Sequence, residues 1–99
     1  GYTLNLPPPA GTGDADYLLQ LWSALERIVR FAPLALVVSL GLDAHESDPA
    51  AGLRLTETGF AGMGRQVASL ELPTVLVQEG GYNPAVVGAS LVVFLDAWR

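Results

Sequence analysis

Two short apolar runs limit what this chain can become. Leu34-Ala35-Leu36-Val37-Val38-Ser39-Leu40 lies between Pro33 and Gly41, and Pro73-Thr74-Val75-Leu76-Val77 runs into Glu79-Gly80-Gly81. Each is continuous rather than alternating, partly β-branched and too short for a helix. That is the pattern of a strand buried on both faces in a parallel sheet. Parallel strands cannot be joined by a hairpin, so the chain between them must cross over, usually as a helix.

The flanking segments supply helices. From Asp14, apolar residues fall at Leu18, Leu21, Trp22, Leu25, Ile28 and Val29, one face of a helix that Pro33 closes. Thr56 is placed to cap a second helix with Phe60, Met63, Val67 and Leu70 on one side, although Gly59, Gly62 and Gly64 lower its propensity. Asn83 and Pro84 form a good N-cap and first-turn pair for a third, marked by Val87, Leu91, Phe94, Leu95 and Trp98. Pro7-Pro8-Pro9 with Gly11 and Gly13 can only be a leading loop. The order α-β-loop-α-β-loop-α reads as an α/β fold, a parallel sheet with helical crossovers. Such sheets carry their chemistry in the loops after the strand C-termini.

Size and composition narrow the setting. Ninety-nine residues, 51% of them hydrophobic, make one unit with a modest core and not two domains. Only 15% are charged, against about 25% in ordinary soluble domains, as expected of a slice from a larger α/β domain. The first residue is not Met and the last two, Trp98-Arg99, fall inside a helical pattern, so truncation at both ends is expected. A net charge of −5 with five basic residues leaves nothing to neutralise a phosphate backbone, which argues against direct nucleic-acid binding. The acidic balance is compatible with a cationic substrate. With no cysteine, any metal must be held by oxygen or imidazole. No stretch reaches the roughly 18 apolar residues that span a bilayer and no basic leader is present, so no membrane partner and a cytoplasmic location are expected.

Both post-strand loops are rich in reactive groups. The first reads Gly41-Leu42-Asp43-Ala44-His45-Glu46-Ser47-Asp48-Pro49. Asp43, nearest the strand, is the best candidate metal ligand, the alternative being a carboxylate that caps the loop. His45 would share a metal with Asp43 only if the backbone bent between them, and a place at the rim or behind the ligands suits it better. Glu46 suits solvent, and Asp48-Pro49 reads as a turn-initiating pair. The second loop, Gly80-Gly81-Tyr82, lacks the spacing and the lysine of a phosphate cradle. Its glycines allow a tight path that brings Tyr82 to the mouth of a crevice as a hydrogen-bond donor, unless Tyr82 is a boundary core aromatic. An Asp for a metal and a Tyr for an oxyanion are two parts of a metal-assisted hydrolase.

Ser39 to Pro49, then Gly52-Leu53-Arg54-Leu55-Thr56, then Glu79-Gly80-Gly81-Tyr82-Asn83 together resemble the closing third of histone deacetylases and acetylpolyamine amidohydrolases. The opening Gly1-Tyr2-Thr3-Leu4-Asn5-Leu6-Pro7 is similar to the same family. The resemblance implies part of an arginase/deacetylase-type three-layer domain. It makes Asp43 the third zinc ligand and Tyr82 the catalytic residue that polarises the substrate carbonyl, with Gly80 and Gly81 lining the acyl-lysine tunnel. It implies Zn2+ as cofactor and an acetylated lysine peptide or an acetylpolyamine as substrate, hydrolysed to acetate and a free amine. The Asp-x-His pair and tandem His general base of that family correspond to positions before Gly1. His45 is not among the family's ligands. The Glu-Gly-Gly-Tyr form is similar to the class II and bacterial branches, and Ala50 stands where one polyamine-deacetylating relative has Glu. The rival is a non-catalytic deacetylase-like binding module without a complete zinc site. An arginase-like binuclear hydrolase would need more carboxylates than this loop offers. The isolated 99 residues are expected to be inactive.

Overall fold

A computed structural model describes residues 2–50 and 52–99. Helix α1 (Asp14–Phe31) leads into strand β1 (Leu36–Gly41), a single 3-10 turn (Leu42–Ala44), helix α2 (Glu57–Ala68), strand β2 (Thr74–Glu79) and helix α3 (Val87–Trp98). The strands pair in parallel, from Leu36 opposite Thr74 to Gly41 opposite Glu79. Among the described residues this α/β unit is therefore a two-stranded parallel sheet with α2 as its crossover, as the apolar runs predict. No helix of the described residues is long and apolar enough to cross a membrane.

Helix α1 stops where expected. Ala32 takes a left-handed conformation and its N–H bonds the Val29 carbonyl, and Pro33 follows. Helix α3 starts three residues later than the Asn83-Pro84 pair suggests. Asn83 still performs a cap's chemistry: its Oδ1 accepts the Ala85 N–H at 3.0 Å, and its carbonyl accepts the N–H groups of Val86 and Val87. Thr56 is the N-cap of α2, but its hydroxyl donates to Asp14 Oδ2 at 2.5 Å rather than to its own helix. The Thr56 N–H donates to the other oxygen of Asp14 at 2.9 Å. That carboxylate ties the first turn of α1 to the first turn of α2.

The core gathers around α2: Leu40, Leu42, Leu55, Phe60, Met63, Val67 and Phe94 are all buried. The glycines that weaken α2 as a helix let its neighbours approach. A Cβ on Gly59 would collide with the Asp14 carboxylate, one on Gly62 would stand 2.7 Å from a Leu18 methyl, and one on Gly64 would strike the Phe94 carbonyl of α3. The expectation of strands buried on both faces needs correction. Leu36, Val38, Leu40 and Leu76 face the core, whereas Val37, Val75 and Val77 on the other face are 69%, 60% and 41% exposed. The core lies on one side of the sheet, and no described element covers the other.

Candidate functional site

The parallel register sets Gly41 opposite Glu79, so the loops carrying Asp43 and Tyr82 leave the same end of the sheet. The 3-10 turn after β1 swings the half-buried Asp43 toward β2. There its carboxylate lies against Gly80: a Cβ on that glycine would stand 2.7 Å from Cγ and 2.8 and 3.0 Å from the two oxygens. Gly41 is also close, a Cβ there standing 3.2 Å from Oδ1. No hydrogen-bond donor among the described residues reaches the Asp43 carboxylate. The carboxylate therefore does not cap the loop, and its oxygens are not engaged by the described residues. A carboxylate oxygen is an ordinary zinc donor, and a catalytic zinc takes three protein ligands. Asp43 fits as one of them. Among the described residues no three His, Cys, Asp or Glu side chains gather around a common point.

Gly80 and Gly81 have φ of +67° and +98°, conformations that an L side chain rarely adopts. At Gly81 a Cβ would also stand 2.5 Å from a Val87 methyl. This path carries the chain from β2 past Asp43 and delivers Tyr82 to the surface, 62% exposed. Its hydroxyl has no partner among the described residues. Tyr82 is accordingly not a core aromatic, and its phenol is free to donate.

Of the two places open to His45, the structure removes the rim. The residue lies 4% exposed, with its ring stacked on Phe60 at 6.5 Å and 5° between planes. The turn at 42–44 separates it from Asp43: His45 leaves the turn extended and pairs with Leu55, so its ring faces α2. Its Nδ1 accepts the Ser47 N–H at 3.0 Å, which puts the proton on Nε2, 3.2 Å from Glu57 Oε2. The Glu57 carboxyl is held below its ordinary value, first by its own backbone N–H at the start of α2 and then by His45. Glu46 is exposed.

Asp48 is the residue that sequence reasoning undervalued. It makes the anticipated turn, with Oδ1 accepting the Ala50 N–H at 2.8 Å. Its other oxygen accepts the Tyr82 N–H at 2.7 Å across 34 positions of sequence, and the residue is 6% exposed. The signal available was stoichiometric: an Asp-Pro turn occupies one carboxylate oxygen and leaves the second to be accounted for. A groove of about 290 Å³ lined by Tyr2, Leu4, Arg27 and Phe31 lies elsewhere, at the end of α1 that leads into the start of β1.

The family model of the histone deacetylase domain matches residues 1–98. The chain belongs to the histone deacetylase family. It is 46% identical over 83 residues to an acetylpolyamine amidohydrolase of Burkholderia pseudomallei, covering 84% of this chain and 24% of that protein. It is 37% identical over its whole length to acetylpolyamine amidohydrolase 1 of Pseudomonas aeruginosa, covering 29% of that protein. A crystal structure of the acetylpolyamine aminohydrolase from Burkholderia pseudomallei superimposes with a TM-score of 0.94 at 41% identity, over 99% of this chain and 29% of that one. The α/β fold is thus that of the deacetylase family, and this chain spans about a quarter of the length of the relatives it matches.

Proposed function

We propose that this chain is the part of a zinc-dependent deacetylase that supplies one metal ligand, Asp43, and the oxyanion donor, Tyr82, for hydrolysis of N-acetyl amides on polyamines or lysine side chains. The observation that carries this reading is the nesting of an unpartnered Asp43 carboxylate against Gly80, two residues before a tyrosine with a free hydroxyl. Acetylpolyamine amidohydrolases among the relatives support the polyamine side of the substrate range.

When bound, zinc acts as a Lewis acid on the acyl carbonyl and makes water a nucleophile at neutral pH. Asp43 holds its share of the metal with a carboxylate that has no competing donor. The Tyr82 hydroxyl donates a hydrogen bond to the carbonyl oxygen, and this bond strengthens as charge develops there during attack on the carbon. Gly80 and Gly81 offer the acyl-amine stem a wall of bare backbone beside the tyrosine, their side-chain positions being taken by Asp43 and Val87. Water's oxygen joins the acetyl carbon, the C–N bond breaks, and a proton passes to the leaving nitrogen, giving acetate and an amine. The two further ligands and the general base are assigned to residues outside these 99.

Turnover of acetylputrescine and of an acetyl-lysine peptide by the full-length protein tests the reading, before and after chelation and again after zinc is restored. Loss with chelator and recovery with zinc are expected. Activity indifferent to metal would sink the proposal, and a protein that neither binds zinc nor turns over either substrate would favour the binding module.

A further inference from the structure

We infer that Asp48 is a positioning residue that sets the Tyr82 phenol by clamping the Tyr82 backbone. The inference rests on the deacetylase reading, because it assigns Tyr82 the donor's role. Among the described residues only two hydrogen bonds join the loop after β1 to the loop after β2. One runs from the Tyr82 N–H to Asp48 Oδ2 at 2.7 Å, the other from the Asn83 side-chain amide to the Ser47 carbonyl at 2.7 Å. The second belongs to an exposed pair, whereas Asp48 is 6% exposed.

A carboxylate in such a place is costly unless its oxygens are satisfied. No arginine or histidine among the described residues pairs with it. Backbone N–H groups do the work: Ala50 on one oxygen and Tyr82 on the other, both in the range of charge-assisted bonds. The turn alone requires one acceptor, which asparagine would provide. A carboxylate is needed because two N–H donors from two loops converge on one side chain.

Tyr82 has little else to hold it. Its ring is largely exposed, its hydroxyl has no partner among the described residues, and it follows two glycines at positive φ, where the backbone is least restrained. The direction of the phenol is therefore decided at its own Cα, and Asp48 fixes the nitrogen attached to that atom. Since Asp48 springs from the loop that carries Asp43, one loop presents the ligand and anchors the donor. Misplacing a catalytic group by about 1 Å can cost on the order of 100-fold in rate.

The test is a double-mutant cycle with Asp48→Asn and Tyr82→Phe in the zinc-loaded full-length protein, read by acetylputrescine kinetics and by exchange of the Tyr82 amide hydrogen. Asparagine keeps the shape but turns one acceptor into a donor facing an N–H. We expect D48N to lower kcat about 10- to 100-fold with little change in KM. On the Y82F background the same change should cost no more than about twofold, and in the D48N single variant Tyr82 amide exchange should accelerate at least about tenfold. Equal losses on both backgrounds, as general damage or metal loss would produce, overturn the inference. So does a Tyr82 amide that exchanges like an open loop in the wild-type protein, an outcome that needs no variant to fold. If the wild-type protein turns over no acetyl amide, the deacetylase reading falls and takes the catalytic consequence with it, while Tyr82 exchange still decides whether Asp48 holds the loop.

Discussion

The Asp43 carboxylate occupies the space that a side chain on Gly80 would need, its Cγ lying 2.7 Å from an ideal Cβ there. With φ at +67°, Gly80 is doubly intolerant of substitution. Gly80→Ala should push Asp43 out of its place as well as strain the loop. In the full-length protein the expected result is lower zinc stoichiometry and at least about a 100-fold loss of turnover. A G80A protein with full metal and full activity would show that Asp43 is not a ligand at this position.

Tyr82→Phe isolates the donor. The hydroxyl has no partner among the described residues and Tyr82 is 62% exposed, so thermal stability should change by no more than about 0.5 kcal/mol. Loss of one oxyanion donor typically costs about 100- to 1,000-fold in kcat. A drop of that size with KM nearly unchanged is expected from steady-state kinetics. A change confined to KM would mean that Tyr82 binds substrate without favouring the transition state.

Taken alone, the 99 residues should show no chelator-sensitive amidase activity, because one carboxylate cannot hold a catalytic zinc that takes three protein ligands. Isothermal titration of the isolated chain with Zn2+ should find no high-affinity site, and acetyl-lysine peptide should remain intact. Chelator-sensitive hydrolysis by the purified chain would contradict this. The exposed Val37, Val75 and Val77 add that the chain alone presents an apolar sheet face to water.

Helices were legible where apolar residues follow a period, and strands where apolar residues run on without a break. The apolar spacing from Leu18 to Val29 located α1, and the two continuous runs located β1 and β2. Which strand face would be covered was not legible, because a both-faces pattern in sequence does not say which elements do the covering. Asp43 and Tyr82 stood out because they lie in the loops that follow the two apolar runs. The clamp by Asp48 did not, since the local Asp-Pro turn accounted for the residue and its second partner lies 34 positions away. The burial of His45 was not legible for a related reason. Its burial depends on residues 52–56 returning beside the loop, where Leu55 pairs with His45 and α2 starts under its ring.

The His45 to Glu57 contact yields a prediction about acid stability. The Glu57 carboxyl is depressed from its ordinary 4.5 by its own backbone N–H and then by the His45 hydrogen bond. A carboxyl with a lower pKa folded than unfolded contributes stability that is fully present above the unfolded value and lost as pH falls through the folded one. Glu57→Gln should therefore destabilise the protein at neutral pH, and the difference from wild type should shrink below about pH 4.5. The Glu57 side chain is 42% exposed, so screening limits the effect to at most about 1 kcal/mol. Urea midpoints of the two proteins compared from about pH 7 down to about pH 3 measure it, and added salt should reduce the gap at the neutral end. A gap that stays constant across the range would mean that Glu57 acts through packing or a neutral hydrogen bond rather than through its charge.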